Sequence, residues 1–307
     1  QESYTEETLF ALYFINTLTG WAVGSDDKGI IRKTTNGGNN WFAQTSPQLY
    51  ALRDVVFLNE NTGYIAASGK VLKTTNSGVN WVEQSTPTSA VYLSISFVNE
   101  NTGWAAGTSG IIIRTTNGGA TWESQPSGHD KIIWSVYMLD ANNGYAAGQY
   151  GYILKTTNGG INWTKPASNW TGMYLKNICF INSSTGYISG NEGKLMKTTN
   201  AGVNWNLTAT PANIDLYVMH FNGGSTGYLV GNDGWVLKST NSGSSWSKIS
   251  KGYPVSVNCY YAVDTLTIYA GNDDGYVLKT TNGGLNWVEN YTISNTYAVY
   301  GIAASSA

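Results

Sequence analysis

The chain is poor in the residues that carry most enzyme chemistry. It has two cysteines and two histidines in 307 residues. No CxxC pair or Cys/His cluster occurs, so the sequence offers no zinc-type ligand set and no metal is expected. Cys179 and Cys259 fall at non-equivalent strand positions, which suits two buried free thiols better than a disulfide. Charged residues make up 12%, with a net charge of −2. That balance lacks the basic footprint of a nucleic-acid binder. The arginines are Arg32, Arg53 and Arg114 alone. No apolar run approaches the roughly 20 residues of a membrane-spanning helix. No nucleotide-binding P-loop, G-x-S-x-G elbow or H-E-x-x-H motif occurs, and no cofactor is expected. The opening QESYTEET has no leading Met and no leader pattern, which suggests a processed start and an exported protein, secreted, periplasmic or at the cell surface.

What the chain has is repetition. KTTNGGNNW at Lys33–Trp41 returns six times in near-identical form. The box tryptophans are Trp41, Trp81, Trp122, Trp163, Trp205, Trp246 and Trp287, spaced by 40, 41, 41, 42, 41 and 41 residues. Each interval contains four short β-rich runs, A to D, separated by Asn/Gly turns, with no sustained 3.6-residue apolar stripe. A period near 41 with four strands is the signature of a propeller blade. The expected fold is therefore all-β: one seven-bladed propeller of four antiparallel strands per blade. It spans 1–307, with units near 8–48, 49–88, 89–130, 131–172, 173–213, 214–254 and 255–294. A surplus strand is expected at 297–304, either closing the ring or leading to a further segment.

The box reads as a structural part. Asn36, Asn76, Asn117, Asn158, Asn200, Asn241 and Asn282 are placed to accept backbone N–H groups of a turn. Gly38 supplies a positive φ, the Thr pair suits a strand end, and each box Trp can bury a ring between blades. In strand A, the columns containing Leu12 and Phe14 share one face, and the intervening column (Tyr13, Val56, Ser96, Tyr137, Cys179, His220, Tyr261) is mixed and more polar and is expected on the more crowded or wetter side near the central channel. Asp140 and Asp264 stand where other units have Asn in the A–B turn and read as turn residues.

T-T-N-G-G-x-x-W resembles the Asp-box, or bacterial neuraminidase repeat, with Asn in place of Asp. The longer unit, F-x-N-x-x-T-G-[YW]…[KR]-T-T-N-G-G-x-x-W, resembles the photosystem II stability/assembly factor propeller family. The resemblance covers nearly the whole chain and implies a seven-bladed propeller. Photosynthetic members carry an arginine-rich patch that engages a reaction-centre subunit, which three arginines spread over three units do not supply. Sialidases share the repeat but need an arginine triad, and Arg32 and Arg114 belong to the repeated strand.

Function is therefore expected in what departs from the repeat. The D–A connections differ among units, and variable loops on a regular scaffold are where binding is grafted. The candidate binding residues are Trp170, Tyr253, Tyr150, Trp134, Arg53, Tyr174, Lys176 and Tyr217, with Tyr92 also placed at a strand start. Aromatics among polar groups suit a protein partner or a glycan. The leading reading is a non-catalytic binding or scaffold propeller. The alternative is a glycoside hydrolase using two of Asp54, Asp130 and Asp215.

Overall fold

In a computed structural model, the described residues are 8–26, 28–47, 50–166, 172–222, 224–249, 257–272 and 276–292. They form seven antiparallel sheets, each built from consecutive strands of one sequence unit. Blade one, for example, comprises Thr8–Phe14, Gly20–Asp26, Lys28–Thr34 and Phe42–Gln44. First strands of neighbouring blades pack against one another around the ring, including blade seven against blade one. Fourth strands are short and largely exposed and form the rim. Trp170, Tyr253 and the expected strand at 297–304 lie outside the described residues.

Blade four departs from the pattern, with three strands among the described residues. Its fourth segment makes one bridge, Lys155 with Thr164. The next residue to exchange bonds, opposite Ile153, would be Pro166, whose ring nitrogen has no proton to give the ladder.

One aromatic contact recurs between blades. A strand-B ring of one blade lies on the strand-A Phe of the next. Trp21 stacks on Phe57 at 3.5 Å, Tyr64 on Phe97 at 4.0 Å, Tyr145 on Phe180 at 4.3 Å and Tyr187 on Phe221 at 5.0 Å. Tyr269 of blade seven stacks on Phe14 of blade one at 4.3 Å and so closes the circle. In the five blades that have this Phe, the box Trp meets it edge-on, as in Phe57–Trp81 at 86° and Phe97–Trp122 at 88°. Six of the seven box tryptophans are buried, and Trp287 is partly buried. They are wedged within the ring.

The same contact explains the Gly of the T-G-[YW] turn. A Cβ on Gly63 would lie 2.7 Å from the Phe57 ring, and one on Gly103 2.5 Å from Phe97. The Phe occupies the volume that any side chain on strand B would need. Blade seven inverts the pair: Ala262 replaces the Phe, and its partner across the strands is Ile268 in place of Gly. Volume is conserved although both identities change.

The box carries a second tie between blades. The Thr74 hydroxyl donates to Asn76 Oδ1 at 3.0 Å and accepts the Gly78 N–H at 2.9 Å, while Asn76 Oδ1 accepts the Asn80 N–H. Thr74 is thus a buried hub rather than a simple strand end, and Ser239 keeps the hydroxyl in blade six. The box lysine reaches the next blade's turn: Lys73 Nζ donates to the Gly118 carbonyl at 2.7 Å and Lys279 Nζ to Gly37 at 3.1 Å. Strand-B side chains join it there, as with Tyr64 to Gly118, Trp104 Nε1 to Gly159 and Tyr269 to Gly37.

The intervening strand-A column is on a crowded side, buried at Tyr13, Val56, Tyr137 and Cys179. Its tyrosine hydroxyls donate to the next blade's first-strand carbonyl: Tyr13 to Phe57, Tyr137 to Phe180 and Tyr261 to Phe14. Neither cysteine forms a disulfide and both are buried, and burial pushes the Cys179 thiol up to about 12. Asp140 and Asp264 each accept two turn N–H groups through one carboxylate oxygen, as the turn reading requires.

Two stability predictions follow from these contacts. Phe97→Ala should cost about 3–5 kcal/mol, and Gly103→Ile should be severely destabilising because it drives into that ring. The double variant, which copies blade seven, should be less destabilised than the sum of the two singles by at least about 1 kcal/mol. Additive effects in a thermal-melt cycle would contradict the volume exchange. Separately, Thr74→Val should cost about 1–3 kcal/mol by stranding buried polar groups, while Thr74→Ser should stay near wild type in the same melts.

Candidate functional site

The first strand of every blade carries a bulge near its start. In blade two, Leu52 pairs with Ala67 and Asp54 with the adjacent Ala66, which leaves Arg53 without a partner in the ladder. The same register shift falls at Phe10, Leu93, Trp134, Lys176, Tyr217 and Asn258 in the other blades. A bulge re-aims the side chain it frees. The residues just before it are uniformly aliphatic or aromatic (Leu9, Leu52, Tyr92, Ile133, Leu175, Leu216) and buried. The bulged column is chemically diverse: Phe, Arg, Leu, Trp, Lys, Tyr and Asn. Two neighbouring pairs touch, Phe10 with Arg53 and Trp134 with Lys176, and the column lies at the end of each blade where the D–A connections and B–C turns meet.

One arc of this ring gathers four of the residues expected from sequence. The Lys176 ammonium sits 4.3 Å from the centroid of Trp134 and 5.8 Å from that of Tyr174. Tyr174 lies 6.0 Å from Tyr150, and Lys131 lies 5.9 Å over Tyr150. Tyr150 and Tyr174 are exposed at 48% and 37%, so this aromatic surface faces solvent. Tyr150 holds φ at 56°, in the left-handed region that its counterparts fill with Ser109, Glu192 and Asp233. A bulky aromatic there is uncommon and carries strain, a pattern that concentrates at binding sites.

Elsewhere on the ring, Arg53 lies 4.3 Å over Phe10. The Tyr217 hydroxyl donates to Asn232 Oδ1. Burial lowers the pKa of Arg53, and burial lowers that of Lys176 against the opposing pull of Asp215. Tyr92 is buried, with its hydroxyl 3.0 Å from that of Thr88, and anchors a loop. Phe10, Leu93 and Lys131 belong to the site yet were not singled out by sequence. Aligning the seven strand starts and asking which column is most heterogeneous would have found the first two.

The three candidate carboxylates have separate surroundings. Asp54 is buried; its Oδ1 accepts the Val55 N–H at 2.8 Å and its Oδ2 the Ile95 N–H of the next blade at 2.9 Å. Ser94, Ser135 and Asn177 occupy the same column and cap Val136, Ile178 and Met219 of their following blades. Asp54 is thus one step in a polar ladder that joins inner strands. Asp130 is exposed and paired with Lys131 at 3.0 Å. Asp215 accepts the Glu192 N–H at 3.1 Å. Among the described residues, no group of three or more His, Cys, Asp or Glu is arranged to hold a metal ion.

Burial raises the Asp54 carboxyl to about 7, with the Ile95, Val55 and Ser94 hydrogen bonds opposing it. A carboxyl raised above its unfolded value stabilises the fold below about pH 4, and that contribution is lost as pH climbs through about 7. The wild type should therefore lose on the order of 3 kcal/mol between pH 4.5 and 8.5 relative to Asp54→Asn. Parallel pH dependences in chemical denaturation would contradict this assignment.

A ring of repeated four-stranded sheets with a diversified inner mouth defines a seven-bladed β-propeller of the bacterial neuraminidase repeat type. The family model for Photosynthesis system II assembly factor YCF48 matches residues 74–172 and 167–301, and the chain belongs to that family. Similar solved structures include YCF48 bound to D1 peptide, with 19% identity over 91% of this chain and 93% of that one, at a TM-score of 0.75. YCF48 from Cyanidioschyzon merolae shows 19% identity over 90% and 96%, at 0.73. The GH74 xyloglucanase from Xanthomonas campestris shows 11% identity over 94% of this chain and 55% of its own, at 0.75. These likenesses establish the fold. Compared by sequence with curated proteins, the chain has no significant match.

Proposed function

We propose that this propeller is a non-catalytic, extracytoplasmic binding module that holds an extended segment of a protein partner across its bulge-lined mouth. The observation that carries the reading is the bulged column. It is the one strand position where seven otherwise uniform blades each present a different side chain, and two neighbouring pairs, Phe10 with Arg53 and Trp134 with Lys176, touch. Rigid aromatics with polar tips give contact area at low entropy cost. The solved relative described as bound to a D1 peptide supports a peptide as the occupant. Hydrolysis has less support, because Asp54 has both oxygens engaged inside the sheet and Asp130 is paired at the surface.

Selection of displayed random 12-residue peptides on the immobilised full chain tests this. Recovered peptides should bind the wild type, and Trp134→Ala should weaken them about tenfold or more with little change in melting temperature. Thr116→Val, on the opposite end, should bind as wild type. Recovery of glycans on an array, with no peptide recovered, would overturn the reading in favour of a sugar ligand.

A further inference from the structure

The mouth repeats one construction twice. Between blades one and two, the Arg53 guanidinium lies over the Phe10 ring at 4.3 Å. Between blades four and five, the Lys176 ammonium lies over the Trp134 ring, also at 4.3 Å. In both cases the later blade gives the cation and the earlier blade gives the ring. Blade three stands between the pairs and contributes Leu93 to the same column. Read around the mouth, the order is ring, cation, aliphatic, ring, cation.

Neither cation has a carboxylate within ion-pair distance among the described residues, whereas Lys131 does, in Asp130. Asp215 acts on Lys176 only through space, and its Oδ1 already accepts the Glu192 N–H. Arg53 Nε and Trp134 Nε1 are both buried without a hydrogen-bond partner. Partly buried cations and buried N–H donors are ordinarily paired. An aromatic face supplies part of that, but it accepts no conventional hydrogen bond from an N–H. Each pair is therefore preorganised, desolvated and short of acceptors, and an apolar step separates the two.

We infer that the mouth reads a two-point acidic motif: an extended protein segment with two carboxylates flanking an apolar residue. One carboxylate sits on Arg53, the other on Lys176, and the apolar side chain lies on Leu93. The inference rests on the reading of the mouth as a peptide site. Arg53 presents a planar fork suited to bidentate carboxylate binding, while Lys176 is a point charge fixed by its rings. A free phosphate or sulfated sugar matches either cation alone but makes no use of Leu93.

The test uses the full chain and the peptides selected on it. They should be enriched in pairs of Asp or Glu on either side of an apolar residue. Arg53→Met and Lys176→Met keep the stem and remove the charge, and each should weaken binding about tenfold. Changing one peptide Glu to Gln should cause a similar loss, and that loss should vanish on the variant lacking the matching cation. Leu93→Ser should weaken binding with no change in salt dependence. Peptides that depend on Trp134 but lack acids, or that ignore both Met variants, would overturn the two-point motif while leaving the peptide site standing. Peptides indifferent to Trp134 would overturn the underlying reading instead. Saturable binding of inorganic phosphate or a sulfated oligosaccharide that excludes the peptides would overturn the motif as well.

Discussion

The ring depends on a strand-A Phe pressed between two neighbours. It lies flat on a strand-B aromatic of the preceding blade and edge-on to its own box Trp, and it fills the space over a strand-B Gly. Three of the most repeated letters in each unit are thus one packing problem. The Phe sets the volume, the Gly vacates it, and the Trp seals the edge. The Ala262–Ile268 pair in blade seven shows that the constraint is on volume across the two strands. Because Tyr269 stacks on Phe14 as its counterparts do elsewhere, the contact that joins consecutive blades also closes the circle.

Around this packing, polar groups fix distance and register. The box Thr and Asn hold the C–D turn, and the box Lys ties that turn's carbonyl to the preceding blade. The ladder of Asp54, Ser94, Ser135 and Asn177 joins the inner strands at the channel. Every one of these groups spends its hydrogen bonds within the protein. The bulged column differs because its members leave the ladder and are free to vary without disturbing the blades. Structural economy and side-chain diversity therefore sit at adjacent residues of the same strand.

Much of the fold was legible because the period of the box tryptophans and the turn residues both point to four strands per blade. The buried cysteines without a disulfide and the turn acids Asp140 and Asp264 were legible from their positions in the repeat. The site was harder. Arg53, Trp134, Lys176 and Tyr217 stand out by breaking a pattern, but Phe10 and Leu93 look like ordinary strand residues until the register shift sets them apart. Asp54 misleads in the opposite way, since a carboxylate beside a strand start looks exposed and is instead a buried cap. Thr74 resembles a strand end because propensity carries no information about its hydroxyl. Pro166 was readable in principle as the end of a strand, and its effect is confined to blade four.

The central claim is that repeated residues hold the ring while the bulged column meets the partner. Site-specific photo-crosslinking tests it most directly, with benzoylphenylalanine placed at Leu93 in the mouth or at Thr116 on the opposite end. The account predicts that a bound peptide is captured from position 93 and not from position 116. Capture from 116 alone would mean that the box face binds, and would contradict the assignment of the repeat to structure.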